Sequence, residues 1–213
     1  MARVASWRGL NRVRNPMHPI EFFFDPVSPY SYLAATQLDD LAARCGTTVV
    51  YKPMLLGAVF KATGNRMPAA VPAKGQYMLT DLQRWAALYQ VPFQFPAVFP
   101  TDSKLAQRIA CTLAEAERPR WTLAVMRAYW VDGHDIGTET GVRHALDTLA
   151  MDADACIEAA QREDAKAALK QLTDEAVSRG VFGAPSFFHG DALFWGCDRL
   201  HLLEHHIKHA SAA

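Results

Sequence analysis

Ile20-Glu21-Phe22-Phe23-Phe24-Asp25-Pro26-Val27-Ser28-Pro29-Tyr30-Ser31 decides how the rest of the chain is read. Its first five residues are β-branched and aromatic, and they stop at the turn pair Asp25-Pro26, so they predict a buried strand. Ser28 then stands as the N-cap of a helix, with Tyr30, Ala34, Leu38 and Leu41 on one apolar stripe and Gly46 as its left-handed stop. Thr47 to Tyr51 reads as a second strand. Such a strand-helix-strand unit closes as a right-handed crossover with parallel strands.

From Leu55 to about Gly180 the period changes to helical stripes: Tyr77 to Tyr89, then Leu105, Ile109 and Leu113, then Trp121, Val125 and Tyr129, with further helices over 139–150, 153–161 and 164–179. Strands return at Ser186-Phe187-Phe188 and Leu193-Phe194-Trp195, separated by the turn residues His189-Gly190-Asp191. Asp198 is the N-cap expected for a last helix burying Leu200, Leu203 and Ile207. The order βαβ, helical block, ββα is an α/β class, the thioredoxin-like arrangement with a large all-helical insertion between its second and third strands. Residues 19–55 plus 180–209 are expected to form the thioredoxin-like domain and 56–179 the inserted helical domain.

The 213 residues are enough to bury roughly 70% of the open chain's surface. Half are apolar and 21% charged, which excludes general disorder. Twenty-two Lys+Arg balance twenty-two Asp+Glu, leaving no global field for a polyanion, so a small molecule is expected as partner and nucleic acid is not. The longest charge-free stretch, Trp85 to Thr101, is broken by Pro92, Pro96 and Pro100 and cannot be a membrane-spanning helix. Four cysteines at 45, 111, 156 and 197 form no C-x-x-C pair, which fits reduced thiols in a cytoplasm. The start, Met1 to Met17, carries Arg3, Arg8, Arg12 and Arg14 without an acidic residue or an apolar run, so it is not an export signal. A basic extension over 1–18, disordered or preceding a true start at Met17, is the expectation, with an organelle presequence as the alternative.

In this frame the start of the first helix faces a loop with a proline just before the third strand, here Ser28-Pro29-Tyr30-Ser31 and Ala184-Pro185. A redox member needs two sulfurs three positions apart at the helix start, whereas two hydroxyls cannot form a disulfide. What remains is a hydroxyl at a helix start, either a simple cap or a group that favours an anion such as a cofactor's thiolate.

Six motifs then carry a resemblance: Phe24-Asp25-Pro26-Val27-Ser28-Pro29-Tyr30-Ser31, the run 52–65 ending in Gly64-Asn65, Lys74-Gly75-Gln76-Tyr77-Met78, Asp81-Leu82-Gln83-Arg84-Trp85, Gly180 to Ser186, and Phe194-Trp195-Gly196-Cys197-Asp198-Arg199-Leu200. The chain resembles the 2-hydroxychromene-2-carboxylate isomerases and, more broadly, the kappa-class glutathione transferases, from about residue 19 to 207. That resemblance implies a glutathione site. Ser28 takes the place of the serine that hydrogen-bonds the glutathione sulfur. Asn65 takes that of an asparagine contacting the peptide, and Ala184 that of the residue whose backbone binds the cysteinyl part like an added strand. Pro185 is expected to be cis, and Cys197 with Asp198 to receive the γ-glutamyl end, Asp198 answering the ammonium group. Cys197 departs from the polar side chain more usual there.

Other readings stand beside these. Asn65 after a glycine also suits a turn, and Asp198 a plain cap. His201, His205 and His209 share one helical face, but it lies away from Leu203 and Ile207 and suits solvated side chains, so no metal is assigned. Lys61, Arg66 and Lys74 flank the Asn65 segment, and Lys61 and Lys74 are the candidate ligands for the carboxylate of an aromatic keto acid. The resemblance further implies a homodimer and a glutathione-dependent cis–trans isomerisation interconverting 2-hydroxychromene-2-carboxylate and trans-o-hydroxybenzylidenepyruvate, or a related acid, in aromatic-compound catabolism. A kappa-class-like transferase or peroxidase is the alternative, and a non-catalytic thioredoxin-fold binding protein a second one. The run 74–85 leans toward the isomerase.

Overall fold

The computed structural model describes residues 18–210; the expectations for residues 1–17 lie outside the described residues. Four strands form one sheet in the order β2-β1-β3-β4: β1 (Ile20–Phe24), β2 (Val49–Pro53), β3 (Ser186–His189) and β4 (Ala192–Trp195). β1 runs parallel to β2, with Phe22 opposite Tyr51, and antiparallel to β3, with Phe22 opposite Phe187. Alternation along β1 feeds both faces of the sheet. Phe22 stacks on Phe24 and on Phe187 and meets Tyr51 edge-on, on the side of the larger core. Phe23 points the other way into a smaller core with Met54, Val59, Ala176, Val181 and Phe188. Each phenylalanine so buried is worth about 1.5–3 kcal/mol relative to exposure, and an unbroken aromatic run is what a strand covered on both faces requires.

Ten helices accompany the sheet among the described residues. α1 (Pro29–Ala35) and α2 (Leu38–Cys45) follow β1, where the sequence suggests one continuous helix. The last turn of α1 tightens: Gln37 N–H bonds to Ala34 C=O three residues back, and the Thr36 hydroxyl takes Leu33 C=O. β2 begins two residues later than its composition suggests. Gly46 ends α2 at φ +65°, Thr47 N–H closes onto Ala42 C=O, and the Thr47 hydroxyl bonds to His18 C=O, so Thr47 belongs to the helix stop.

Between β2 and β3 lie α3 (Leu56–Thr63), α4 (Pro72–Tyr89), α5 (Lys104–Thr112), α6 (Arg118–Trp130), α7 (Glu139–Thr148), α8 (Ala153–Gln161) and α9 (Glu163–Ser178). α4 starts five residues before Tyr77 because Pro72, with its fixed φ, opens it. These helices are fastened to the strands by buried polar bonds as well as by packing. Gln107 donates to both Phe24 C=O and Met54 C=O at 2.8 Å, and Trp130 Nε1 donates to Pro26 C=O at 2.8 Å. On the smaller core, Arg179 lies 3.9 Å over the Phe188 ring and forks onto Glu21, which Lys52 also approaches. α10 (Leu200–Ala210) closes the chain. It does not start at Asp198 as a capped helix: Cys197–Arg199 form a 3-10 turn, because Gly196 at φ +103° brings Asp198 back over itself.

Candidate glutathione site

A cavity of about 950 Å³ opens between the start of α1, the 64–71 segment, α4, the 183–184 loop and the 195–199 turn. Ser28, Asn65, Lys74, Ala184, Cys197 and Asp198 all line it, although they come from five separate stretches of chain. Lys61 does not. It is exposed on α3, outside the lining, because α3 turns Leu56 and Phe60 to the cavity and Lys61, one residue further round the helix, falls on another face; Arg66 supplies the cation beyond the helix end. Pro185 also lies behind the lining, its carbonyl bonded by Gly196 N–H, and the Ala184–Pro185 bond is cis as the sequence suggests.

Ser28 is buried and has the extended backbone of an N-cap; its Oγ accepts Ser31 N–H at 3.3 Å and donates to Ala184 C=O at 3.1 Å. Capping and siting therefore coexist in one hydroxyl. None of the backbone hydrogen bonds of the described residues uses Ala184 N–H, which leaves that donor for a peptide laid along the loop. Ser31 Oγ is buried, has no partner among the described residues and does not line the cavity.

The Asn65 amide already has partners within the protein. Its Nδ2 donates to Phe182 C=O and its Oδ1 accepts Arg66 N–H, both at 2.8 Å, so the side chain ties the 64–66 segment to the loop leading to Ala184. Beyond that tie, Phe182 and Trp195 form a half-exposed aromatic pair, ring centroids 4.9 Å apart, and the indole packs so closely on Gly183 that a Cβ there would come within 2.6 Å of Nε1.

At the other end, burial pushes the Cys197 thiol up to about 12, and the carboxylates of Asp198 and Asp81 add to the effect. Burial and these charges disfavour a thiolate at Cys197. Its carbonyl accepts the Tyr89 hydroxyl at 2.9 Å, and Asp198 pairs with Arg199. Asp81, which the sequence reading quoted without giving it a role, accepts the Tyr30 hydroxyl at 3.0 Å; burial and then the Asp81 charge hold that phenol well above its ordinary value. The signal was present in the spacing: Lys74, Met78, Asp81 and Trp85 fall on one face of α4 and all line the cavity. The two unpaired cations of the lining, among the described residues, are Arg66 and Lys74.

The fold and cavity define a thioredoxin-fold protein with a hydroxyl where the redox members carry sulfur, so no disulfide can cycle at the start of α1. The profile of the DsbA-like thioredoxin domain matches residues 19–208. A 2-hydroxychromene-2-carboxylate isomerase of Sphingobium xenophagum is 37% identical over 191 residues, 88% of this chain and 97% of that protein. Glutathione S-transferase kappa 1 of Caenorhabditis elegans is 30% identical over 199 residues, 86% of this chain and 88% of that one. The solved structure of a selenomethionine 2-hydroxychromene-2-carboxylate isomerase superposes with a TM-score of 0.82 at 32% identity, covering 90% of this chain and 95% of that chain. The chain belongs to the 2-hydroxychromene-2-carboxylate isomerase family, within the DsbA-like thioredoxin domains and beside the kappa-class glutathione transferases.

Proposed function

We propose that the protein is a glutathione-dependent cis–trans isomerase that interconverts 2-hydroxychromene-2-carboxylate and trans-o-hydroxybenzylidenepyruvate, or a closely related aromatic keto acid. The observation that carries this reading is the buried Ser28 hydroxyl beside the unused Ala184 N–H, in a cavity large enough for a tripeptide and an aromatic acid together. When bound, glutathione supplies a thiolate that adds to the conjugated alkene, lets the resulting single bond turn, and leaves unchanged.

The chain's own residues then have separable tasks. Ser28 turns its hydroxyl hydrogen from Ala184 C=O to the sulfur and stabilises the negative charge. Ala184 N–H and the C=O thus released hold the cysteinyl backbone. Two carboxylates, Asp81 and Asp198, stand where an α-ammonium group needs one; Asp198 already shares its charge with Arg199, so Asp81 with its single hydroxyl donor is the stronger acceptor. Arg66 and Lys74 answer carboxylates, including the keto acid's, and Phe60, Met67, Met78 and Phe99 give the apolar walls for its ring. We read the protein as a homodimer, on the resemblance alone. A cytoplasmic location is in keeping with its four free cysteines. No helix among the described residues is long and apolar enough to cross a membrane.

The test follows the substrate's absorbance while reduced glutathione is titrated. Activity that rises with glutathione while total thiol stays constant is the expected result. Full activity without thiol removes the mechanism, and loss of thiol in proportion to substrate assigns the site to conjugation, as the kappa-class names of other relatives would have it.

A further inference from the structure

Asp25 is 1% exposed and lies just behind the cavity wall, where three segments that build the site converge. Its Oδ1 accepts the N–H of Val27 at 3.1 Å, its Oδ2 accepts the N–H of Leu56 at 2.8 Å, and the buried Ser103 hydroxyl bonds to the same carboxylate. Val27 and Leu56 both line the cavity. Asp25 C=O in turn accepts Ser28 N–H at 3.0 Å. One residue therefore fixes the turn that carries Ser28, the first amide of α3 and the cap of α5.

We propose that Asp25 is a positioning residue for sulfur activation, holding Ser28 and the Leu56 wall in register through its ionised carboxylate, and that taking up a proton there releases this hold. The proposal rests on the functional reading above and deepens it. An ionised carboxylate offers only acceptors, which suits three converging donors. Once protonated, one oxygen becomes a donor facing N–H and O–H groups, and at least one of the three pins loses its acceptor.

No cation among the described residues pairs with this carboxylate. The charge bearing most on Asp25 is another carboxylate, Asp102, whose own partner is Lys104, and the Tyr129 hydroxyl faces it from α6. Burial outweighs the three hydrogen bonds and lifts the Asp25 carboxyl to about 6.

The experiment has two arms. In ligand-free wild-type protein, amide proton and nitrogen resonances of Val27 and Leu56 are followed from about pH 4 to about pH 8; they are expected to move together with a midpoint near 6, and Asp25→Asn is expected to abolish both steps. In the second arm, Asp25→Asn lowers kcat by about tenfold or more at neutral pH while KM for glutathione stays within about twofold, because Ala184 and Asp81 are untouched. Amides that do not titrate, or a variant with the wild-type kcat and pH profile, overturn the proposal. The first arm needs no variant, so it decides even if Asp25→Asn fails to fold. Titrating amides in a protein that isomerises nothing would overturn the functional reading and leave the role of Asp25 in positioning Ser28 standing.

Discussion

The Ser28 hydroxyl donates to the carbonyl of Ala184 across 156 residues of chain, at 3.1 Å. This bond joins the two halves of the thioredoxin frame, and in the proposed function it sets the activating hydrogen beside the place where the sulfur is received. A small rotation about one C–O bond redirects it. The carbonyl it leaves becomes the acceptor that a bound peptide N–H requires.

Replacing Ser28 by alanine separates these roles. Loss of the cap costs about 1 kcal/mol of stability. Loss of a hydrogen bond to a charged acceptor costs about 1.5–3 kcal/mol, equivalent to a rise of about one to two pH units in the ionisation of the bound thiol. Ser28→Ala is therefore expected to shift the ultraviolet titration of bound glutathione upward and to lower turnover by about tenfold or more. An unchanged titration with unchanged turnover would reduce Ser28 to a helix cap.

Gly196 offers a test of the γ-glutamyl end. At φ +103° a side chain is strained, and its Cβ would sit 2.3 Å from Asp198 Oδ1, so Gly196→Ala must displace that carboxylate. Calorimetry is expected to show glutathione binding weakened by about tenfold, an effect of about 1.4 kcal/mol. Gly57, exposed in α3 with open space around it, is the control: Gly57→Ala should leave binding alone.

The two cavity carboxylates are expected to be unequal. Asp81→Asn should weaken glutathione binding more than Asp198→Asn, since only Asp198 has an adjoining guanidinium. Equal losses, or the larger loss at Asp198, would return the ammonium group to the residue that the sequence first suggested.

Asp25 also leaves a mark on stability. Its carboxyl rises from an ordinary 3.8 to about 6, so the folded chain holds this proton more tightly than the unfolded one. The contribution is fully present below about pH 3.8 and is lost as pH rises through about 6, an amount on the order of 3 kcal/mol. Denaturant titrations of wild type and Asp25→Asn between these limits should therefore diverge in favour of the variant as pH rises. Parallel curves would mean that the carboxyl is not perturbed.

Much of this was legible in the residues. Strands with continuous aromatic runs and helices with Pro or Ser at their starts fall where local chemistry puts them, since those signals act within one element. The α1–α2 break, the late start of β2 and the 3-10 turn at Cys197 were not, because each depends on a bond formed by a neighbouring element or on a positive φ at a glycine. The site shows the same division. Ser28, Ala184 and Asp198 were identified through motif resemblance, whereas Asp81 and Arg66 required knowledge of which face of α4 and which end of the 64–71 segment meet the cavity. Lys61 misled because nearness in sequence to Asn65 says nothing of helical face: Leu56 and Phe60 turn to the cavity and Lys61 does not. Asn65 carries a structural tie that its turn-forming character hinted at.

The sheet register carries a consequence for how the chain is made. Ile20 lies opposite His189 and Phe23 opposite Ser186, so β1 acquires its second neighbour only after the whole helical segment has been synthesised. At ribosomal speeds of about 5–20 residues per second, that wait is roughly ten to thirty seconds. Throughout it, an aromatic strand edge is open to pairing with any other nascent chain. Glu21, the second residue of β1, is the one charge on that strand; Lys52 of β2 is made early enough to pair with it during this wait, and Arg179 joins only after the helical segment is complete.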